Sequence, residues 1–387
     1  MLKVNNKIRV LFIGVLVILF ALSSQLIIQA DAQEDDIVLG WVAPFSGNYA
    51  WAGEYLTNGS KMAIEEINAA GGINGRKLKM IYEDDGSNPT QSVNATIKLI
   101  IKDEVDLVMG PFNSSCALAD MVEAEKRQFP ILVFGLSPLV TSQGNQWVFR
   151  MSPGDNVTVK ALLDYAVGVK GYKRIAFMTD TTDYGTGAYV VGEPYLKAIG
   201  LEPLTNEKFN IPDKDFTSQL LKIKNAKPEV LFIHGDEADC GLIAKQRLQL
   251  GMGDLPVIGG LPLTGKKYSE VGGNEAIEGT IVVTNFLDVN PDPKIQAFIK
   301  KFTDTYGYSP EARCTAGYDG TYVAAQAFRN ALNNFGDLTP EHVRDGLRQV
   351  QGLKGLQGEF NYDETGEGLS TAIKGIFHDG ELGFLSE

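Results

Sequence analysis

A chain of 387 residues with 48 acidic against 35 basic side chains, net −13, is a poor partner for polyanions and anionic membrane surfaces. That balance excludes nucleic-acid binding as a function class. With 44% hydrophobic residues and only three scattered cysteines, the chain has enough apolar sequence for more than one core but no disulfide framework.

The N-terminus sets the compartment. Lys3, Lys7 and Arg9 precede an apolar run over 10–22, and Ala30-Asp31-Ala32 offers the small residues a signal peptidase reads. Residues 1–32 are therefore read as a signal peptide cut after Ala32, with an exported protein following. An uncleaved anchor is the competing reading. The run is shorter than the ~20 residues of a span, and Ser23, Ser24 and Gln25 interrupt it. Of Cys116, Cys240 and Cys314, one pair could form in an oxidising compartment, leaving an odd thiol; three buried free thiols are the alternative.

Short strands and amphipathic helices then alternate. Residues 37–42 read as a strand and 57–70 as a helix, with Met62, Ala63, Ile64 and Ile67 on its apolar face and Gly71-Gly72 as its stop. Strands at 77–82, 105–109 and 130–133 enclose helices at about 89–102 and 117–127. The same grammar restarts with a helix over 155–169 and strands at 174–178, 229–233 and 256–258. Helices at about 187–199, 216–226 and 238–250 accompany them. Two such runs predict two α/β lobes, each a mostly parallel sheet flanked by helices. Helices at about 293–306, 315–333 and 340–349, then a hairpin turning at Asp379-Gly380, close the chain.

Motifs for catalysis are missing. His234, His342 and His378 have no metal-ligand spacing, and neither a GxSxG elbow nor a phosphate-binding GxxxxGK[ST] occurs. Gly185 and Gly187 are followed by Gly192, too late for a dinucleotide fingerprint. Asp84-Asp85 and Asp236-Glu237 read as caps or turn residues rather than acid–base pairs, and Cys116 has no neighbouring histidine in sequence. No cofactor or metal is called for.

Ligands of open α/β sheets sit beyond the carboxyl ends of strands. There, Asn113-Ser114-Ser115 precedes a helix and Leu136-Ser137 follows a strand; hydroxyls and amides at helix N-termini suit a carboxylate. Tyr49 and Trp51 in the first loop, and Tyr184 after the strand ending at Met178, can wall an apolar ligand body. Tyr318 is a weaker candidate, since a core tyrosine is the ordinary explanation.

Three stretches carry a resemblance: Gly40-Trp41-Val42-Ala43-Pro44-Phe45-Ser46-Gly47; Glu66-Ile67-Asn68-Ala69-Ala70-Gly71-Gly72-Ile73-Asn74-Gly75-Arg76; and Glu83-Asp84-Asp85 with Pro89. They resemble the leucine/isoleucine/valine-binding family of periplasmic receptors served by ABC transporters, and the resemblance runs through essentially all of the chain after the leader. It implies a two-lobed type I periplasmic binding protein fold with three hinge crossings, near 151–152, 283–286 and 356–358. Lobe I is then 33–151 plus 286–356, and lobe II 152–285 plus 357–387. The implied function is extracytoplasmic binding of a small amino acid, without chemistry, by a monomer that hands it to a membrane permease. A non-amino carboxylate or amide such as an aromatic acid is the alternative ligand, and a ligand-sensing subunit of a signalling receptor the alternative role.

Matched by position, Ser114 supplies a loop hydroxyl, Leu136 backbone and Ser137 a second hydroxyl, with Ser115 beside them, while Tyr184 closes from the second lobe. Two departures stand out. Leu261 occupies the place of the acid expected to hold a ligand ammonium, and Glu237 falls where an aromatic is common. Either Glu237 or Asp236 supplies the charge, or the ligand has no ammonium. Ser87 and Asn113 stand where some relatives carry a disulfide.

Overall fold

A computed structural model describes residues 35–385, so the expected signal peptide and its cleavage site lie outside the described residues. In the first sheet, β1 (Ile37–Ala43), β2 (Leu78–Asp84), β3 (Leu107–Met109), β4 (Ile131–Val133) and β5 (Val148–Arg150) run in the order β2-β1-β3-β4-β5, all parallel. β3 and β4 are three buried apolar residues each, as expected of strands covered on both faces. The helices α1 (Ala50–Ala69), α2 (Pro89–Ile101) and α3 (Ser114–Arg127) connect them. Asn88 caps α2 by accepting the Gln91 N–H at 3.1 Å, with Pro89 at the first helical position.

α1 begins seven residues before the position that periodicity suggested, placing Trp51 in its first turn instead of a loop. Tertiary contact explains the extension. Gly53 lies against the end of β1, where a Cβ would come 2.0 Å from the Pro44 carbonyl oxygen.

The second sheet is built from α4 (Asp155–Leu163), which continues into a wider turn over 164–169, then β6 (Ile175–Asp180), α5 (Asp183–Ala198) and β7 (Thr205–Phe209). α6 (Thr217–Ala226), β8 (Val230–His234), α7 (Glu237–Gln249) and β9 (Val257–Gly259) follow, then two short helices α8 (Lys266–Gly272) and α9 (Asn274–Ile277) and β10 (Ile281–Thr284). Alternate residues of β6 feed different cores: Ala176 and Met178 one, Ile175 and Phe177 the other.

The chain then returns to the first lobe as α10 (Pro293–Tyr306), α11 (Ala312–Phe335) and α12 (Pro340–Arg348), followed by the small ribbon β11 (Leu353–Lys354) and β12 (Glu359–Phe360). α11 packs on α1 at backbone contact: a Cβ on Gly317 would lie 1.9 Å from the Leu56 carbonyl, and one on Gly59 1.9 Å from that of Cys314. Finally β13 (Ile373–His378) and β14 (Glu381–Phe384) add antiparallel strands, giving the order β14-β13-β10-β9-β8-β6-β7. Asp379 and Gly380 both have positive φ, 53° and 82°, the primed turn that suits a two-residue hairpin.

The expected crossings touch one another. The Gln357 side-chain amide donates to the Met151 carbonyl at 3.1 Å, and that of Asn285 donates to the Ser152 hydroxyl at 3.3 Å and to Gln357 Oε1. Beyond Gln357 the chain does not yet join the second sheet. Phe360, Tyr362 and Leu369 pack in the first core, and the β5 residue Arg150 donates its N–H to the Gly366 carbonyl at 2.9 Å. The reason is charge. Arg150 is fully buried, and Glu367 pairs with it at 3.1 Å.

All three cysteines are buried and unpaired. Among the described residues, no helix is long and apolar enough to cross a membrane.

Candidate functional site

A cavity of ≈ 260 Å³ lies where the carboxyl ends of the two sheets face each other, a size for a small ligand. Eight of the nine sequence-predicted residues reach it: Tyr49, Trp51, Ser114, Ser115 and Leu136 from the first lobe, and Tyr184, Glu237 and Leu261 from the second. Ser137 does not. It is fully buried behind the wall, where its N–H donates to Ser114 Oγ at 3.1 Å and its carbonyl accepts from Arg150 Nη2 at 2.9 Å. Arg150 also donates to the Gly135 carbonyl, so one buried guanidinium holds the loop that presents Leu136.

On the first-lobe side, Asn113 is the N-cap of α3 but its side chain makes no capping bond, and its buried Oδ1 has no partner. The first-turn amides of Ser114 and Ser115 are thus left for an anion, with the helix dipole in support. Ser87 and Asn113 line the cavity rather than forming a bridge. An aromatic wall adjoins them: Phe112 stacks on Phe134 at 5.3 Å, and Tyr49 lies 6.0 Å from Phe112.

The second-lobe side is acidic. Asp180, at the carboxyl end of β6, accepts the Thr182 N–H at 2.7 Å on Oδ1, while its buried Oδ2 has no partner. Glycines give it room: a Cβ on Gly185 would lie 2.1 Å from Oδ1, and one on Gly235 3.0 Å from Oδ2. Burial raises the Asp180 carboxyl, against the Thr182 hydrogen bonds. Asp236 caps α7 by accepting the Ala238 N–H at 3.0 Å. Tyr184, in the first turn of α5 rather than a loop, stacks over His234 at 4.3 Å; its hydroxyl is buried without a partner and burial drives it well above the usual range. His234 itself faces Asp155, Nε2 to Oδ2 3.3 Å, behind the wall. Tyr318 donates to Glu66 at 2.6 Å, a structural contact away from the cavity.

Among the lining residues that sequence reasoning missed are two charged ones, Asp180 and Arg313. Asp180 stood at the end of a recognised strand and only its neighbour Tyr184 drew notice. Arg313, at the start of α11, enters the cavity from a helix rather than a strand-end loop. It is 3% exposed, pairs with Glu237 of the opposite lobe at 2.6 Å and with Glu311 at 2.5 Å, and lies over Trp51 at 4.8 Å. A lone arginine in Ala312-Arg313-Cys314-Thr315-Ala316-Gly317 was the available signal: small residues around one charge mark a packed face. Burial lifts the Glu237 carboxyl to about 7, with the Arg313 guanidinium pulling the other way. Among the described residues, no cluster of three or more His, Cys, Asp or Glu is arranged to hold a metal.

The pattern that defines the family described as periplasmic binding protein matches residues 36–373. The chain is 30% identical over 333 residues to a Leu/Ile/Val-binding protein homolog 1 from Brucella suis, covering 86% of this chain and 87% of the relative. Among solved structures it resembles the leucine binding protein LivK of Thermotoga maritima, with TM-score 0.80, 25% identity, and 90% and 98% of the two chains covered. A solute binding protein from R. palustris in complex with benzoate shares the fold at TM-score 0.79 and 22% identity, over 90% of this chain and 95% of that one. The chain belongs to the periplasmic binding proteins, in the leucine/isoleucine/valine-binding family of ABC transporter substrate-binding proteins.

Proposed function

We infer that this protein binds a zwitterionic amino acid in the cleft, carboxylate toward the first lobe and ammonium toward the second, and passes it unaltered to a membrane permease. The supporting observation is the complementarity of the two walls: uncapped first-turn amides at Ser114 and Ser115 on one, the unpartnered Asp180 Oδ2 on the other. Asp180 takes over the part that Leu261 cannot play. The charge of Glu237 is matched by Arg313, which leaves Asp180, with Asp236 near it, to balance the ammonium. A benzoate-like ligand, as in the R. palustris relative, would leave these buried carboxylates unmatched.

We place lobe I at 35–151 plus 286–369 and lobe II at 152–285 plus 373–385, with a third crossing at 370–372, and the protein in the periplasm as a monomer after leader removal. Calorimetry with leucine, phenylalanine, benzoate and phenylpyruvate tests the ligand class. Amino acids bind and the two acids do not; binding of benzoate alone overturns the reading. Asp180→Asn is expected to weaken amino-acid binding by about 100-fold, the worth of a charged partner lost from a buried pair.

A further inference from the structure

Within that amino-acid reading, on which this inference rests, we propose that Arg313 and Glu237 form a subsite for the end of the ligand's side chain. It selects a neutral group that both donates and accepts hydrogen bonds, a carboxamide or a ureido group, over a branched aliphatic one. Both residues are 3% exposed and both line the cavity. The guanidinium is held on most sides. Its faces look onto Trp51 at 4.8 Å and Phe112 at 5.8 Å, Nη1 donates to Glu311, and Nη2 meets Glu237. What remains is the Nε–H, buried and without an acceptor. Across from it, Glu237 Oε1 lies 2.6 Å from Nη2 but accepts no directed hydrogen bond, so it too retains acceptor capacity.

The groups around this corner decide what fits. Glu237 and Glu311 flank one arginine, so a third carboxylate would meet a net negative surround, and an ammonium, which has no acceptor, would leave the Nε–H unsatisfied. A hydrocarbon end would seal the Nε–H away from water unsatisfied, a loss of about tenfold or more in affinity. A carboxamide oxygen accepts from Nε–H while its NH₂ donates to Glu237, which matches both free valences at once. The preference arises from the cleft itself, since Arg313 belongs to the first lobe and Glu237 to the second.

The test is calorimetry on the full exported chain with glutamine, citrulline, leucine and glutamate. Glutamine or citrulline is expected to bind at least tenfold tighter than leucine, with glutamate weaker than both. Arg313→Lys, which keeps the charge but lacks the Nε–H donor, is expected to bring the ratio of glutamine to leucine affinity close to one, and an unchanged ratio in the folded variant overturns the subsite. Glu237→Gln gives a second check, with the same loss of preference expected. Leucine binding as tightly as glutamine and citrulline to the wild type overturns the subsite but leaves the amino-acid reading standing. Failure of every amino acid to bind overturns both.

Discussion

Asp120 on α3 shows what a buried acid without a counter-charge does to a fold. It is fully buried, Ser92 and Thr96 donate to its Oδ2 at 2.8 and 2.9 Å, and its Oδ1 has no partner. Burial raises this carboxyl to about 7, well over the usual 3.8. A pKa raised on folding contributes stability that is complete below the ordinary value and lost as pH climbs through the raised one. The protein should therefore lose stability between about pH 4 and 7 through this group. Asp120→Asn removes that dependence: its melting temperature should exceed the wild type's by a few degrees at pH 8, and the gap should close toward pH 4. Calorimetric scans across that range measure it, and equal melting temperatures at pH 8 would count against the argument. Arg150 obeys the opposite logic. Its charge is matched by Glu367 and by carbonyls of the 135–141 loop, so Arg150→Met should strand Glu367 and weaken ligand binding without touching the cavity.

Helices and strands were predictable in proportion to their length and apolar periodicity. α2, α3, α10 and α12 fell close to their expected ranges. β7 did not announce itself, because Thr205-Asn206-Glu207-Lys208-Phe209 is a half-exposed edge strand with no alternating apolar pattern. β5, three residues ending in the charged Arg150, and β10, four residues, also passed unread. The early start of α1 rests on the fit of Gly53 against the Pro44 carbonyl, a packing contact that helical periodicity does not record. At this scale the α1–α11 contact offers a clean test. Alanine in place of glycine favours a helix interior by about 1 kcal/mol, yet a Cβ at Gly317 would sit 1.9 Å from a backbone oxygen. Overpacking costs ~1–3 kcal/mol or more, so steric conflict wins. Gly317→Ala should lower the melting temperature; a rise would mean that the helices separate cheaply.

For the molecule as a whole, the two-lobed plan and most of the cleft could be read in advance because strand-end loops carry them. Ser137 lies off the cavity lining because its carbonyl is held by Arg150, a buried charge that no local pattern announces. Interlobe motion should depend on Gln357, a first-lobe residue whose side chain ties the crossing at Met151 to the one at Asn285. Gln357→Ala is expected to broaden the range of lobe angles in the ligand-free protein, read as a larger radius of gyration by small-angle scattering with unchanged far-ultraviolet dichroism. An unchanged scattering curve would show that the crossings are restrained elsewhere.

The pairing of Arg150 with Glu367 also orders events in time. The first sheet closes on a residue made more than two hundred positions later, and the second sheet gains its last strands from the final segment after 372. Neither lobe can finish while the ribosome is still working on the chain, because long-range contacts must wait for their partners to exist. Truncation before Glu367 should therefore leave a charged arginine inside an unfinished first lobe as well as a second sheet short of two strands.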